Sequence, residues 1–403
     1  MSALPDILLS LHPHQQEFLA ALVRTPSDNP PGDCAPHAQA TAELLEQLGF
    51  AVERDVVPPI ACEAVGMRRV TNLIVRHRFG PGPVVALNAH GDVVPPGEGW
   101  TADPYGAEIR DGWMYGRGVA VSKSDIATYA FALLALIRSG VKLAGTVELH
   151  VTYDEETGGE IGPARLLAEG LSRPDLAIGA GFSYAVTEAH NGCLHLEVEV
   201  RGRSAHAARP WTGIDALEAA TAILTKLYDW RKALAARESR IPGIGAPQLT
   251  VGLIEGGINT NVVPDRVALR LDRRIVPEEA PDAVEAELRE VIGAVAVGAA
   301  TVAVRRILLA RPLVADPRAR RLTELLCAHA SRVLATEVRA QGAALYTDAR
   351  HYAAAGVPIV LYGAGPRSIE EANAHRADER LRLSDLFAAT EVVAATLADL
   401  LAA

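Results

Sequence analysis

Apolar and polar positions alternate along this chain with two different rhythms, and the rhythm changes near residue 192. HAQATAELLEQLGF (37–50) has helical spacing and stops at Gly49, a residue suited to a helix C-cap. VVALNAHGD (84–92) is a short continuous apolar run that ends in polar residues, as a buried parallel strand does at its carboxyl end. SDIATYAFALLALIRSG (124–140) predicts a mostly apolar helix, and TVELHVTYDEE (146–156) a second strand with acids at its carboxyl end. Open α/β sheets bind ligands beyond the carboxyl ends of their strands, so His90, Asp92, Glu155 and Glu156 are expected to share one crevice.

After Gly192 the order becomes strand, helix, strand, strand, helix, strand. The segments are LHLEVEVRGRSAH, a long helix from about Ile214 to Ala235, QLTVGLIEGG, RVALRLDRRI, a helix within PEEAPDAVEAELREVIGAV, and TVAVRRILL. That order describes a compact α+β sandwich inserted into the first domain. From about Ala310 the chain returns to α/β character, through VPIVLYGAG and a final helix. The predicted fold class is therefore α/β: a catalytic domain (1–191 and 310–403) with a central, mostly parallel sheet, and an inserted domain (192–309).

A length of 403 residues fits two cores better than one. A net charge of −10 argues against nucleic acid, whose phosphates need a basic surface. No run of eighteen apolar residues occurs, and the N-terminus lacks the basic and apolar regions of a signal peptide, so a cytoplasmic protein without membrane contact is expected. Cys34, Cys62, Cys193 and Cys327 are scattered without CxxC spacing. The scatter favours buried thiols over disulfides or a thiolate metal site.

The chemistry lies at the two strand ends. The H-x-D pair of His90 and Asp92 suits a metal-binding imidazole whose other nitrogen is oriented by a carboxylate, although a single such pair is often incidental. YDEETGG adds Glu155 and Glu156 at a Gly-rich turn. They read either as a solvated acidic turn or as one metal ligand beside one general base.

Seven motifs then follow in order: NAHGDVVP with its extension to YGRG, DEETGG, GRSAHAARP, IEGGINTNVVPD, LDRRIVP, TDAR, and GAGPRSIEEANAHRADE. Together they resemble the aminoacylase, carboxypeptidase G and succinyl-diaminopimelate desuccinylase family of co-catalytic zinc hydrolases, over roughly residues 17 to 400. The resemblance implies that His90 ligates the first zinc and that Asp92 orients it. It makes Glu155 the general base, and Glu156 and His375 ligands of the second zinc. The inserted domain becomes a lid and dimerisation domain. Its His206 is expected to reach the partner subunit's site and stabilise the oxyanion, while Asn261 and Arg274 hold a substrate carboxylate. Asn261 also reads as a turn residue before Pro264, and Arg274 as a structural ion pair with Asp272.

Two ligands of the family pattern are missing. The family's GRGAxDxK carries a carboxylate that bridges both metals, and Val121 stands there in GRGVAVSKSD. The acid that the family places a dozen or so residues before the lid falls at Ala180, Gly181 or Phe182. Asp125, Asp175 and Glu188 lie nearby but off the aligned positions, and Asp125 reads as a surface or capping acid. Two dications ~3.5 Å apart repel by roughly 19 kcal/mol at an effective dielectric of about 20. Glu156 and a hydroxide balance only one of them. The expectation is one weakly held divalent ion (zinc, manganese or cobalt), with no second metal.

The predicted activity is hydrolysis of a C–N, amide-type bond in a small carboxylate substrate such as an N-acyl amino acid or a dipeptide-like amide, by a homodimer or higher oligomer. Altered or metal-free chemistry, including removal of an aryl amine, and a catalytically silent binding protein are the alternatives. FSY (182–184) either lines an aromatic substrate pocket or simply packs.

Overall fold

The computed structural model describes residues 4–403. It divides into two compact units, one running to Glu188 with Ala315–Gln341 and Thr347–Ala403, the other comprising Ala189–Val314 and 342–346.

An eight-stranded sheet organises the first unit, in the order Val52–Val56, Thr71–Arg78, Thr146–Thr152, Val84–His90, Leu176–Gly179, Ile359–Leu361, Val186–His190 and Ala340–Ala343. The four strands from Thr146–Thr152 to Ile359–Leu361 run parallel, and Val84–His90 is buried along nearly its whole length, as its continuous apolar run requires. His90 pairs with Thr152, so these two strands release their chains at the same level of the sheet. That register brings the DEE segment beside the H-x-D pair.

The helix expected at 124–140 runs Lys123–Ser139 and ends on a left-handed Gly140. Its residues from Ile126 to Leu136 are almost fully enclosed, which suits a helix that is apolar all round. The helix expected at 37–50 runs Ala35–Gln47. Leu4–Arg24 and Leu383–Leu400 complete the core around Lys123–Ser139. No helix among the described residues is long and apolar enough to cross a membrane.

In the second unit a four-stranded antiparallel sheet has the order Gln248–Gly256, Arg266–Ile275, Gly192–Arg201, Thr301–Ala310. Leu194, Leu196, Leu269 and Leu271 alternate with polar neighbours and pack with Ile223 and Leu288 of helices Ala216–Leu234 and Pro281–Gly293. This is the α+β sandwich that the alternation predicts.

A small sheet of Glu108–Arg110, Trp113–Tyr115 and Arg380–Arg382 brings the C-terminal NAHRADE segment against GRGVAVSKSD. Glu379 is the junction. Its buried carboxylate pairs with Arg117 at 2.5 Å and accepts from the main chain of Ala120 (3.0 Å) and Val121 (3.2 Å). Arg117 also donates to the carbonyl of Arg376 at 3.3 Å. A buried pair adds little net stability over an apolar pair, but breaking it strands a charge in the interior. Glu379→Ala is therefore expected to cost about 3–5 kcal/mol. Urea unfolding followed by circular dichroism checks this, and the double change Arg117→Met with Glu379→Leu should cost less than Glu379→Ala alone.

Candidate active site

Asp92 is completely buried just beyond its strand, and three donors converge on it. Asn29 Nδ2 lies at 2.9 Å from Oδ2, the Glu155 amide at 3.3 Å from Oδ1, and the Glu156 amide at 3.2 Å from Oδ2. The carboxylate thus holds the main chain of the acidic turn. His90 Nδ1 lies 3.0 Å from the Asp92 carbonyl and 3.4 Å from its carboxylate. A carbonyl can only accept, so Nδ1 carries a proton and Nε2 is the nitrogen left for a ligand. The orienting contact is closer to the main chain of Asp92 than to its side chain. Ser122 fixes the same strand end, accepting from the His90 amide and donating to its carbonyl, both at 3.2 Å.

Glu155 and Glu156 open a 3-10 turn, Glu155–Thr157, followed by two glycines at positive φ. A Cβ on Gly159 would lie 2.3 Å from Asp348 Oδ1 and 2.7 Å from His351 Nε2, so only glycine lets the turn close there. The Gly158 carbonyl accepts from His351 Nε2 at 2.8 Å and from the Arg350 guanidinium. Asp348 and Arg350 come from TDAR, a motif of the sequence without an assigned role, and His351 follows it. All three are buried against the turn that presents the two glutamates.

The structure brings His90, Glu155 and Glu156 together, with one ligand atom of each inside 4.8 Å of the others. His375, half-exposed in a left-handed conformation, puts Nε2 3.4 Å from Glu156 Oε1. That oxygen is buried and receives no hydrogen bond. At 3.4 Å the contact is an ion pair without hydrogen-bond geometry but an ordinary spacing for two ligands of one ion, which bonds of 2.0–2.1 Å place about 3.3 Å apart.

The electrostatics show a shortage of positive charge. Burial, with Glu156, Asp92 and Asp154 nearby, pushes the Glu155 carboxyl up to about 8 against the opposing pull of His90. Burial and neighbouring carboxylates also raise Asp154 and Asp348 well above the usual range. Burial works against a charged His90, yet Asp92, Glu155 and Glu156 outweigh it and raise its pKa. A buried imidazole and carboxylates, with one acceptor orphaned and a half-exposed imidazole beside it, fit a divalent ion.

Both positions without an acid are now visible. Val121 packs against the apolar core and its amide is held by Glu379. A Cβ on Gly181 would meet the Tyr362 amide nitrogen at 2.8 Å and the Leu361 carbonyl carbon at 2.9 Å, so no side chain fits without moving the main chain. Asp125 is fully buried rather than a surface acid. Its Oδ1 accepts from the Ala364 amide at 2.6 Å, and burial raises its pKa to about 7. Asp175 accepts from the Val84 amide at 2.8 Å. Neither these two nor Glu188 joins the three-residue cluster at His90. In FSY, Ser183 donates to the Gly363 carbonyl at 2.8 Å, and Tyr184 donates to Asp385 at 2.9 Å beneath the Arg367 guanidinium, so these two residues have structural partners.

The other expected residues lie in the second unit. His206 and Asn261 are exposed on adjoining segments, joined by a bridge between His206 and Val262 and by the Ala207 amide donating to the Asn261 carbonyl at 2.9 Å. Arg274 Nε donates to Asp272 at 3.0 Å, so the ion pair considered from sequence is present.

The family model for peptidase family M20/M25/M40 matches residues 86–399. A succinyl-diaminopimelate desuccinylase of Xylella fastidiosa (strain M23) is 29% identical over 280 residues, covering 63% of this chain and 70% of the relative. A metallo-carboxypeptidase of the M20 family from Sulfolobus solfataricus has a TM-score of 0.77 at 18% identity, covering 95% of this chain and 98% of that one. Human carnosine dipeptidase 1 has a TM-score of 0.74 at 20% identity, covering 98% of each chain. A dinuclear metal-binding M20 peptidase of Bacillus subtilis scores 0.70 at 18% identity, with 97% and 99% covered. The family model spans most of the chain and the fold is that of solved M20 structures: the chain belongs to peptidase family M20/M25/M40.

Proposed function

We propose that this chain hydrolyses a C–N, amide-type bond in a small carboxylate-bearing substrate, such as an N-acyl amino acid or a dipeptide-like amide, with one divalent ion. The observation that carries the reading is the convergence of His90, Glu155 and Glu156 beside the orphaned Glu156 Oε1 and His375. His90, Glu156 and His375 would hold the ion, zinc, manganese or cobalt. When bound, it polarises the scissile carbonyl and makes water more acidic. Glu155 takes the proton of the attacking water and passes it to the leaving amine. The Asp92 contacts to the two glutamate amides keep this base in place while its side chain works.

The unit Ala189–Val314 is assigned as a lid and dimerisation domain. His206, from the partner subunit, stabilises the oxyanion, and Asn261 and Arg274 bind the substrate carboxylate. Arg274 uses Nε on Asp272, which orients its planar fork. A homodimer acting on a small cytoplasmic metabolite is the setting that this assignment implies.

Support for a single ion comes from the absence of an acid at Val121 and at Ala180, Gly181 and Phe182, and from the main chain around Gly181, which leaves no room for a side chain. Exchange with manganese followed by elemental analysis should show about one ion per chain more in the native protein than in the His90→Ala, His375→Ala double variant. A difference of two would overturn the single-ion reading.

Val121→Asp tests the lost bridge. An unpaired carboxylate in an apolar setting is costly, so the variant should melt below the native protein without metal. Added zinc should raise its melting temperature more than it raises that of the native protein. The same gain in both proteins would mean that the new carboxylate does not reach the ion.

Activity on a panel of N-acyl amino acids and dipeptides should fall about 10²–10⁴-fold in Glu155→Gln. Mixing His206→Ala with Glu155→Ala protein should restore part of it through hybrid dimers. Confirmed subunit exchange with no recovery would sink the contribution in trans, and a Glu155→Gln protein with native activity would sink the assigned base.

A further inference from the structure

The geometry points to a second metal site, distinct from the His90 cluster: Cys193, His195 and Asp272 form a thiolate, imidazole and carboxylate set for a zinc-like ion. All three lie within the second unit. Cys193 and His195 are two residues apart on strand Gly192–Arg201 and therefore share a face of the sheet. Across the ladder Asp272 pairs with His195, and Arg274 with Cys193. The intervening Leu194, Leu196 and Leu271 face the apolar core. Register, rather than a CxxC spacing, assembles the set, and for that reason the scattered cysteines argued against a thiolate site in the sequence.

The contacts bring sulfur and nitrogen to different oxygens of one carboxylate, so a turn of the Asp272 side chain would let a single ion meet all three residues. Cys193 Sγ lies 3.6 Å from Asp272 Oδ1, and His195 Nε2 lies 3.3 Å from Asp272 Oδ2. One donor atom from each residue falls within 4.8 Å of the others. Tetrahedral bonds of about 2.3 Å to sulfur and 2.0–2.1 Å to nitrogen or oxygen separate sulfur from oxygen by about 3.5 Å and nitrogen from oxygen by about 3.3 Å. Three protein ligands leave a fourth position for water.

Charge and softness select the ion. A thiolate and a carboxylate offset one dication, the Arg274 guanidinium leaves one positive charge at the exposed side, and binding releases the thiol proton to solvent. The sulfur favours zinc or cobalt(II) over manganese or magnesium. Arg274, 3.0 Å from Asp272 Oδ1, does what outer partners of a ligating carboxylate do and fixes its orientation. Cys193 is buried, whereas the side chains of His195 and Asp272 are 33% and 28% exposed, which gives the ion a way in from one side.

Cobalt(II) titration of the whole protein separates this site from the catalytic one. His90, Glu155, Glu156 and His375 include no sulfur, so a near-ultraviolet thiolate-to-cobalt charge-transfer band reports only a cysteine site. The band should appear in the native protein, survive in Cys34→Ala and vanish in Cys193→Ser. Zinc should compete it away at equimolar concentration, while manganese should not. Asp272→Asn should weaken cobalt binding at least about tenfold. If Cys193→Ser loses its native circular dichroism, His195→Gln, on the exposed face with the sulfur intact, decides: a lost or shifted band supports the site. An unchanged band in His195→Gln, a band that persists in folded Cys193→Ser, or no band at saturating cobalt overturns it.

Discussion

Asp92 carries a buried negative charge to the end of one parallel strand and uses it to fasten the end of the next. Its two oxygens accept from the amides of Glu155 and Glu156, and Asn29 holds it from behind. Those contacts exist only because His90 and Thr152 leave the sheet at the same level. Sheet register, the buried acid and the acidic turn are thus one arrangement. Shifting either strand by a residue would turn the side chains at its end to the opposite face and dissolve the site.

The parts legible in the sequence were those where local pattern and burial agree. Val84–His90 and Thr146–Thr152 read as parallel strands because they are apolar on both faces, and their polar ends followed from that reading. The polar/apolar alternation after Gly192 gave the antiparallel sandwich for the same reason. What stayed hidden depends on contacts far apart in the chain. Asp348, Arg350 and His351 support the glutamate turn from nearly two hundred residues away, and TDAR has no spacing that announces this. Asp125 reads as a capping acid because it opens a helix, yet the Ala364 amide draws it into the interior. Glu379 sits in a motif noticed only for His375, and its tie to Arg117 shows only once the small sheet has formed.

The excess of carboxylates explains why the turn is so heavily braced. Asp92, Asp154, Glu155, Glu156 and Asp348 are drawn into one region, with His90, His375 and Arg350 as the cationic partners beside them. Like charges in low dielectric push one another apart or take up protons. The raised pKa values of Glu155, Asp154 and Asp348 follow the second route. A dication would relieve the same strain by holding the carboxylates charged, so metal binding and the stability of the turn are coupled.

Val121 and Gly181 differ in what placing an acid there would demand of the structure. At Val121 the backbone amide is held by Glu379, and its neighbour Ser122 anchors His90. A carboxylate there would need no new main-chain path. Gly181 is different, because the backbone of Leu361 and Tyr362 occupies the space that a Cβ needs. An acid at that position requires the ends of two neighbouring strands to separate, and Asp125 resists this by accepting from the amides of both Ala364 and Gly181. Of the three places left open for that acid, Gly181 is closed by the main chain, whereas Val121 differs from an acid only in its side chain.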